Sequence, residues 1–242
     1  MALIDNLISY WKLDETSGTR GDAHGANNLT DNNTVGYAAG ILNNAADFES
    51  TNSEYLSITD ASQSGLDITG DLTMSCWINR ESDASQHVMG KRDGGSGASG
   101  RAYVMYLDGN TATDISVNIS SGATDTWKFV SYTFSTGTWY HVAIVYTASA
   151  GSAKFYVNGS QTGTTQSGLP TSIGNNSQPF TIGREAVTGG LFDGLIDEVG
   201  IWSRALSDSE ITELYGSGTP PAYPFTGGGS ATPTLLMTGV GT

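Results

Sequence analysis

The sequence predicts an all-β domain, and three observations carry that prediction. Charged residues make up only 14% of the 242-residue chain, against about a quarter in an average globular domain. Glycine occupies 32 positions, and Ser, Thr and Asn fill much of the rest, which suits short strands joined by tight turns and argues against a helical bundle. Between the turn clusters recur runs rich in Val, Ile, Tyr, Thr and Trp, the residues that strands prefer. With 38% hydrophobic and 10% aromatic residues, the chain is too apolar to stay disordered. It is also long enough to bury a core without staples.

Taken in order, the expected strands are Leu7–Leu13, Glu54–Ile58, Leu72–Asn79, Gln86–Gly90, Ala102–Leu107, Asp114–Ile119, Lys128–Phe134, Tyr140–Tyr146, Ala153–Val157, Phe180–Gly183 and Gly194–Trp202. In the third of these, Leu72, Met74, Cys76 and Ile78 alternate with other residues, so this strand has one core face and one freer face. Trp139 to Tyr146 is apolar on both faces and reads as a central strand covered on both sides. Asn158-Gly159 follows Lys154–Val157 and suits a type I′ hairpin turn, because both residues tolerate positive φ. Asp93–Gly100 reads as a Gly/Ser loop.

One helix is expected. Ser207 and Glu210 have the spacing of a capping box, Ile211, Leu214 and Tyr215 form a short apolar stripe, and Gly216 ends it. Beyond Gly216 the composition shifts: Gly216–Thr234 holds four of the six prolines and the run Gly227–Gly229. Residues 1–216 therefore read as one domain and 217–242 as a Pro/Gly-rich linker with an apolar end, Leu235-Leu236-Met237. That end is a candidate assembly contact, able to add as a strand to a neighbour's sheet edge.

Ten basic residues against 24 acidic ones give a net charge of −14. Such a chain repels a phosphate backbone and an anionic membrane surface, which excludes nucleic acid and membrane partners. Cys76 is the only cysteine and lies in an apolar run, so no internal disulfide is possible and the thiol reads as a small core residue. Asp5 interrupts the apolar start of the chain and no basic stretch precedes it, so no signal peptide is expected. No apolar stretch is long enough to span a bilayer.

Several short segments stand in a familiar order: Tyr10–Glu15 with Gly18, Ala45–Phe48, Tyr55–Ile58, Gly65–Ile68 and Leu72–Ile78. Trp139–Ala143, Phe155–Gly159, Phe180–Gly183, Phe192–Val199 and Arg204–Ser207 with Glu210-Ile211 follow. Each is weak alone, but in this order the chain from about Leu7 to Gly216 resembles the laminin-G-like domains of the concanavalin A-like lectin/glucanase superfamily. The resemblance implies a two-sheet antiparallel jelly-roll sandwich with one short C-terminal helix.

Glucanases of this superfamily carry two glutamates flanking an aspartate on one strand, since glycoside hydrolysis needs two carboxyls at a set separation. Neither Glu-x-Asp-x-x-Glu nor Glu-x-Asp-x-Glu occurs here, and His24, His87 and His141 sit beside no nucleophile motif. No enzyme is expected. The resemblance also implies a structural calcium ion, with Asp14 or Glu15, the carbonyl near Gly40 and Asp197 as donors, and Asp47 as a further one. A lectin site needs an aromatic face and groups that bond hydroxyls. Trp77, Tyr106, Trp127 and Trp139 are the candidate platforms, with core filling as the competing role.

Two functions from different classes are expected. One is a non-catalytic structural or adhesive component of an extracellular assembly. A phage virion is the leading case, with the chain as a capsid decoration, head-fibre or tail-appendage protein, self-associating or contacting other virion proteins. The other is a free-standing secreted or cell-surface carbohydrate-binding module. The corresponding locations are the virion or the extracellular space.

Overall fold

The computed structural model describes residues 1–93, 97–108, 114–185 and 190–225. In chain order the strands are β1 (Leu7–Trp11), β2 (Thr30–Asn32), β3 (Gly36–Ala39), β4 (Asn44–Phe48), β5 (Tyr55–Ile58), β6 (Leu72–Arg80), β7 (Gln86–Arg92) and β8 (Arg101–Asp108). They continue with β9 (Asp114–Ser120), β10 (Asp125–Ser131), β11 (Trp139–Thr147), β12 (Ser152–Val157), β13 (Ser160–Ser167), β14 (Phe180–Ile182) and β15 (Gly194–Trp202). One α-helix, α1 (Asp208–Tyr215), follows.

These strands form two antiparallel sheets. The first runs β13-β12-β11-β6-β15-β4-β3, with β1 also paired to β15. The second runs β10-β9-β8-β7-β14-β5-β2. The expected two-sheet sandwich is therefore what the chain adopts. At one side the sheets meet edge to edge, where Gly163 of β13 lies against Val130 of β10.

Alternation decides what each strand buries. On β6, Leu72, Met74, Cys76 and Ile78 point into the main core between the sheets, as expected. On β11, Val142, Ile144 and Tyr146 do the same, while Ala143 and Val145 point outward into a second apolar cluster. In the main core Trp11 stacks on Phe180 with ring centroids 5.3 Å apart. The thiol of Cys76 is fully buried there, and burial raises its pKa well above the ordinary value.

The second cluster covers the outer face of the first sheet. It joins Leu3, Leu7 and Tyr10 from the start of the chain to Trp202, Leu206, Ile211, Leu214 and Phe225 from its far end. This is why β11 is apolar on both faces. The α1 helix is fixed over the sheet by the expected capping box, in which Ser207 and Glu210 each bond the other's backbone N–H. Glu210 is also held by Arg204 at 2.7 and 3.0 Å. The segment expected to be a linker from residue 217 includes packed residues. Tyr223 stacks on Tyr10 at 5.0 Å, and Phe225 meets the same ring edge-on. Leu235, Leu236 and Met237 lie outside the described residues.

Four strands are not among those expected: β2, β3, β4 and β13. β13 reads Ser-Gln-Thr-Gly-Thr-Thr-Gln-Ser and faces solvent along most of its length, so no apolar alternation marks it. β10 begins at Asp125 rather than Lys128 and ends at Ser131. Phe134, expected inside that strand, is a core residue beyond it.

Candidate functional site

Of three clefts among the described residues, the one lined by several aromatic side chains lies on the outer face of the second sheet, over β7 to β10; the others, of about 560 and 430 Å³, hold none. The aromatic cleft has a volume of about 420 Å³. Register and alternation assemble it. Tyr106 of β8 pairs with Ser116 of β9, and Ser116 pairs with Phe129 of β10. Two residues back along β10, Trp127 points to the same side as Phe129. Arg92 from the end of β7 and Glu185 from the loop after β14 close one wall, and Ser85 and Asp108 close another.

The aromatic rings are positioned rather than loosely exposed. Tyr106 meets Trp127 edge-on with centroids 5.9 Å apart. The Arg92 guanidinium lies 4.8 Å from the centre of the Trp127 ring, a cation–π contact. Arg92 is also paired with Glu185, and Arg101 is paired with Asp125. Trp127 keeps 38% and Phe129 58% of their surface exposed, two of the four large hydrophobic residues that do so among those described. Ser85 donates to Asp108 at 3.0 Å. Burial pushes the Glu185 carboxyl above its usual range, against the pull of Arg92 and Arg101. Burial likewise lowers Arg92, against the pull of Glu185. The cleft thus offers apolar ring faces beside a compensated ion pair and further hydrogen-bonding groups.

Of the four expected platforms, the structure brings Tyr106 and Trp127 together and places the other two on the opposite sheet. Trp77 points outward from β6 but is 3% exposed, because Tyr215 of α1 stacks on it at 5.7 Å and His141 lies at 5.5 Å. Its ring is a support for the helix. Trp139 is half-buried at the start of β11, opposite Asn79. Sequence reasoning missed Phe129, Arg92, Glu185 and Asp108. Phe129 was legible, since it stands two residues from Trp127 on the same strand. The pairing of Arg92 with Glu185 joins residues 93 apart in sequence, and no local pattern announces it.

The histidines take structural places. His141 bonds Ser75 Oγ at 2.8 Å, and burial pulls its pKa down to about 3. His87 is equally buried beside Thr181 and is lowered to about 3 by the same cause. His24 bonds the Tyr223 hydroxyl at 3.0 Å near the surface.

In this structure the Asp14 and Asp197 carboxyls expected to hold calcium are engaged by the protein's own donors. Asp197 sits where β15 bulges, with Glu198 next to it at φ +51°. Its Oδ2 accepts backbone N–H groups from Ile41 at 2.8 Å and Leu42 at 3.2 Å, and its Oδ1 accepts from Glu198 at 2.9 Å. The backbone therefore turns N–H donors toward this carboxyl, whereas a cation site turns carbonyl oxygens inward. Gly40 is obligatory beside it, because a Cβ there would lie 2.5 Å from Asp197 Oδ2. Burial, with Glu198 nearby, pushes Asp197 up to about 8. Glu198 rises to about 7 by burial, against a bond from the Tyr10 hydroxyl. Asp14 is taken up by Lys12 at 3.0 Å and by the Asn44 backbone. Asp47, on β4, is raised by burial and by Glu81, Glu49, Glu54 and Asp193. Among the described residues no three His, Cys, Asp or Glu side chains are grouped to hold a metal.

Comparison with known proteins adds to this geometry. A family model described as the concanavalin A-like lectin/glucanases superfamily matches residues 50–212. No curated protein matches the chain. Domain 4 of AbnA, an extracellular arabinanase from Geobacillus stearothermophilus solved with arabinotriose, shares 21% identity at a TM-score of 0.64, covering 87% of this chain and 98% of that one. The binding domain of Paraclostridial Mosquitocidal Protein 1 shares 18% at a TM-score of 0.69, covering 89% of this chain and 53% of that one. A structure of botulinum neurotoxin type C, which depends on two ganglioside molecules for getting into cells, shares 16% at a TM-score of 0.65. There the match covers 89% of this chain and 52% of that one, so this chain spans about half of either toxin structure. At these identities the likeness is one of fold.

Proposed function

The chain belongs to the laminin-G-like family of the concanavalin A-like lectin/glucanase superfamily, and from that premise we propose that it is a non-catalytic carbohydrate-binding module whose saccharide lies in the Tyr106–Trp127 cleft. The observation that carries this reading is the pair of exposed rings, Trp127 and Phe129, on one side of one strand beside a paired arginine and carboxylate. Sugar rings present apolar C–H faces and a rim of hydroxyls, so they need this combination of flat apolar surface and polar groups. Residues two apart on a strand stand roughly 6.7 Å apart, which gives a platform longer than a single sugar ring. The saccharides found with or required by the arabinanase domain and the neurotoxin support a sugar ligand for a domain of this shape.

The test is isothermal titration of the chain with a panel of oligosaccharides, repeated with Trp127→Ala. Binding that the substitution abolishes supports the cleft, and binding that survives it places the site elsewhere. The virion-assembly reading leans in part on the tail, residues 217–242, of which 226–242 lie outside the described residues, and no contact among the described residues favours it.

A further inference from the structure

The charge of the cleft narrows the class of saccharide, and this step rests on the carbohydrate-binding reading above. All ten Lys and Arg residues of the chain lie within the described residues. Arg92 is the only one of them that lines the cleft. Two carboxylates line it as well, Asp108 and Glu185. One positive and two negative groups leave the lining at −1 when all are ionised, inside a molecule of net charge −14.

Arg92 is also engaged. Its guanidinium is paired with Glu185 and packed over Trp127. The neighbouring Arg101 is paired with Asp125. A sugar carboxylate entering the cleft would meet an Arg92 whose charge Glu185 already balances, with Asp108 adding a second negative charge to the lining. The extra charge would be set against a lining already at −1, with Glu185 only 8% exposed and so poorly screened by water. An uncharged sugar faces no such conflict. Its hydroxyls can donate to Asp108 and Glu185 and accept from Arg92 while the ion pair stays intact, and its C–H face can lie on Trp127 and Phe129.

We propose that the ligand of this cleft is an uncharged oligosaccharide, and that Glu185 and Asp108 exclude uronate- and sialate-bearing chains by outweighing the charge of Arg92 and repelling the incoming carboxylate. Glu185 and Asp108 are then specificity-determining residues.

The experiment titrates the full chain with arabinotriose, xylotriose and mannotriose as neutral probes and with trigalacturonate and sialyllactose as anionic ones. The expected result is that at least one neutral probe binds at least about tenfold more tightly than either anionic probe. Its affinity should change by less than about twofold between about 20 and about 300 mM NaCl, because no net charge is exchanged. Glu185→Gln and Asp108→Asn should each raise the affinity for trigalacturonate severalfold at low salt, and the two variants guard against one of them failing to fold. An anionic probe that binds as tightly as the best neutral one overturns the inference and leaves the carbohydrate-binding reading standing. Trigalacturonate affinity unmoved by either folded variant overturns it too. Absence of binding by every probe in both classes overturns the cleft as a sugar site and this inference with it.

Discussion

Trp127 is both fixed and offered. Arg92 covers its ring at 4.8 Å and Tyr106 abuts it at 5.9 Å, yet 38% of it faces solvent. Trp127→Ala therefore removes the platform without opening the core between the sheets. The expected outcome is a loss of saccharide affinity of about tenfold or more, or about 1.4 kcal/mol, with a melting temperature close to that of the parent. Calorimetric titration and a thermal melt on the same sample check both halves. The buried titratable residues set a different property. His87 and His141 are lowered from 6.5 to about 3, so the unfolded chain takes up their protons first, and their contribution to stability is lost as pH falls from about 6.5 to about 3. Burial alone would raise Glu210, but its bonds from Arg204 and Ser207 hold it at about 2. Its contribution is present above its ordinary 4.5 and is lost as pH falls through that range toward 2. Asp197 and Glu198 act with the opposite sign. Raised to about 8 and about 7, they contribute below their ordinary values and lose that contribution as pH rises through 7 and 8. Melting temperature should therefore be highest over a plateau from about pH 4.5 to about pH 6.5 and fall on both sides. A series of melts from acid to mild alkali that rises without a maximum would contradict these assignments.

At the level of elements, α1 has eight residues and is too short to persist alone. The sheet beneath it and its cap hold it in place. Ser207→Ala removes one half of the capping box and should cost about 1 kcal/mol, read as a lower urea midpoint with an unchanged slope. Gly159 ties the same helix to the β12–β13 turn. It has φ +74°, and a Cβ there would come within 2.8 Å of the Tyr215 ring. The elements differ in how clearly sequence announces them. β6 and β11 were legible because each buries at least one apolar face, and alternation or its absence reports that burial. The capping box was legible because its chemistry is local. β13 was not, since Thr and Gln on an exposed edge follow the pairing of β12 and leave no trace of their own. β2 and β3 are three and four residues long and partly exposed, too short for a period to repeat. The site follows the same logic. Tyr106 and Trp127 could be named from residue type alone, but which aromatic rings stay open depends on what covers them, and Trp77 is closed off by a helix some 140 positions later in the chain.

For the whole molecule, the stability of the sandwich is shared between the core inside the sheets and the apolar layer outside the first sheet. That outer layer depends on the segment after α1. Phe225→Ala should cost about 2 kcal/mol, the scale of burying one large apolar side chain, measured by urea unfolding. A cost near zero would mean that the segment beyond Gly218 adds nothing to the fold. The outer layer has a further consequence. Leu3 and Phe225 both belong to it, so the chain's first residues and the last described ones lie across one broad side of the molecule. Trp127 and Phe129 open on the other broad side. A bead, a tag or a larger polypeptide attached through the first residues would sit behind the module, and saccharide in front of it would still find the groove uncovered.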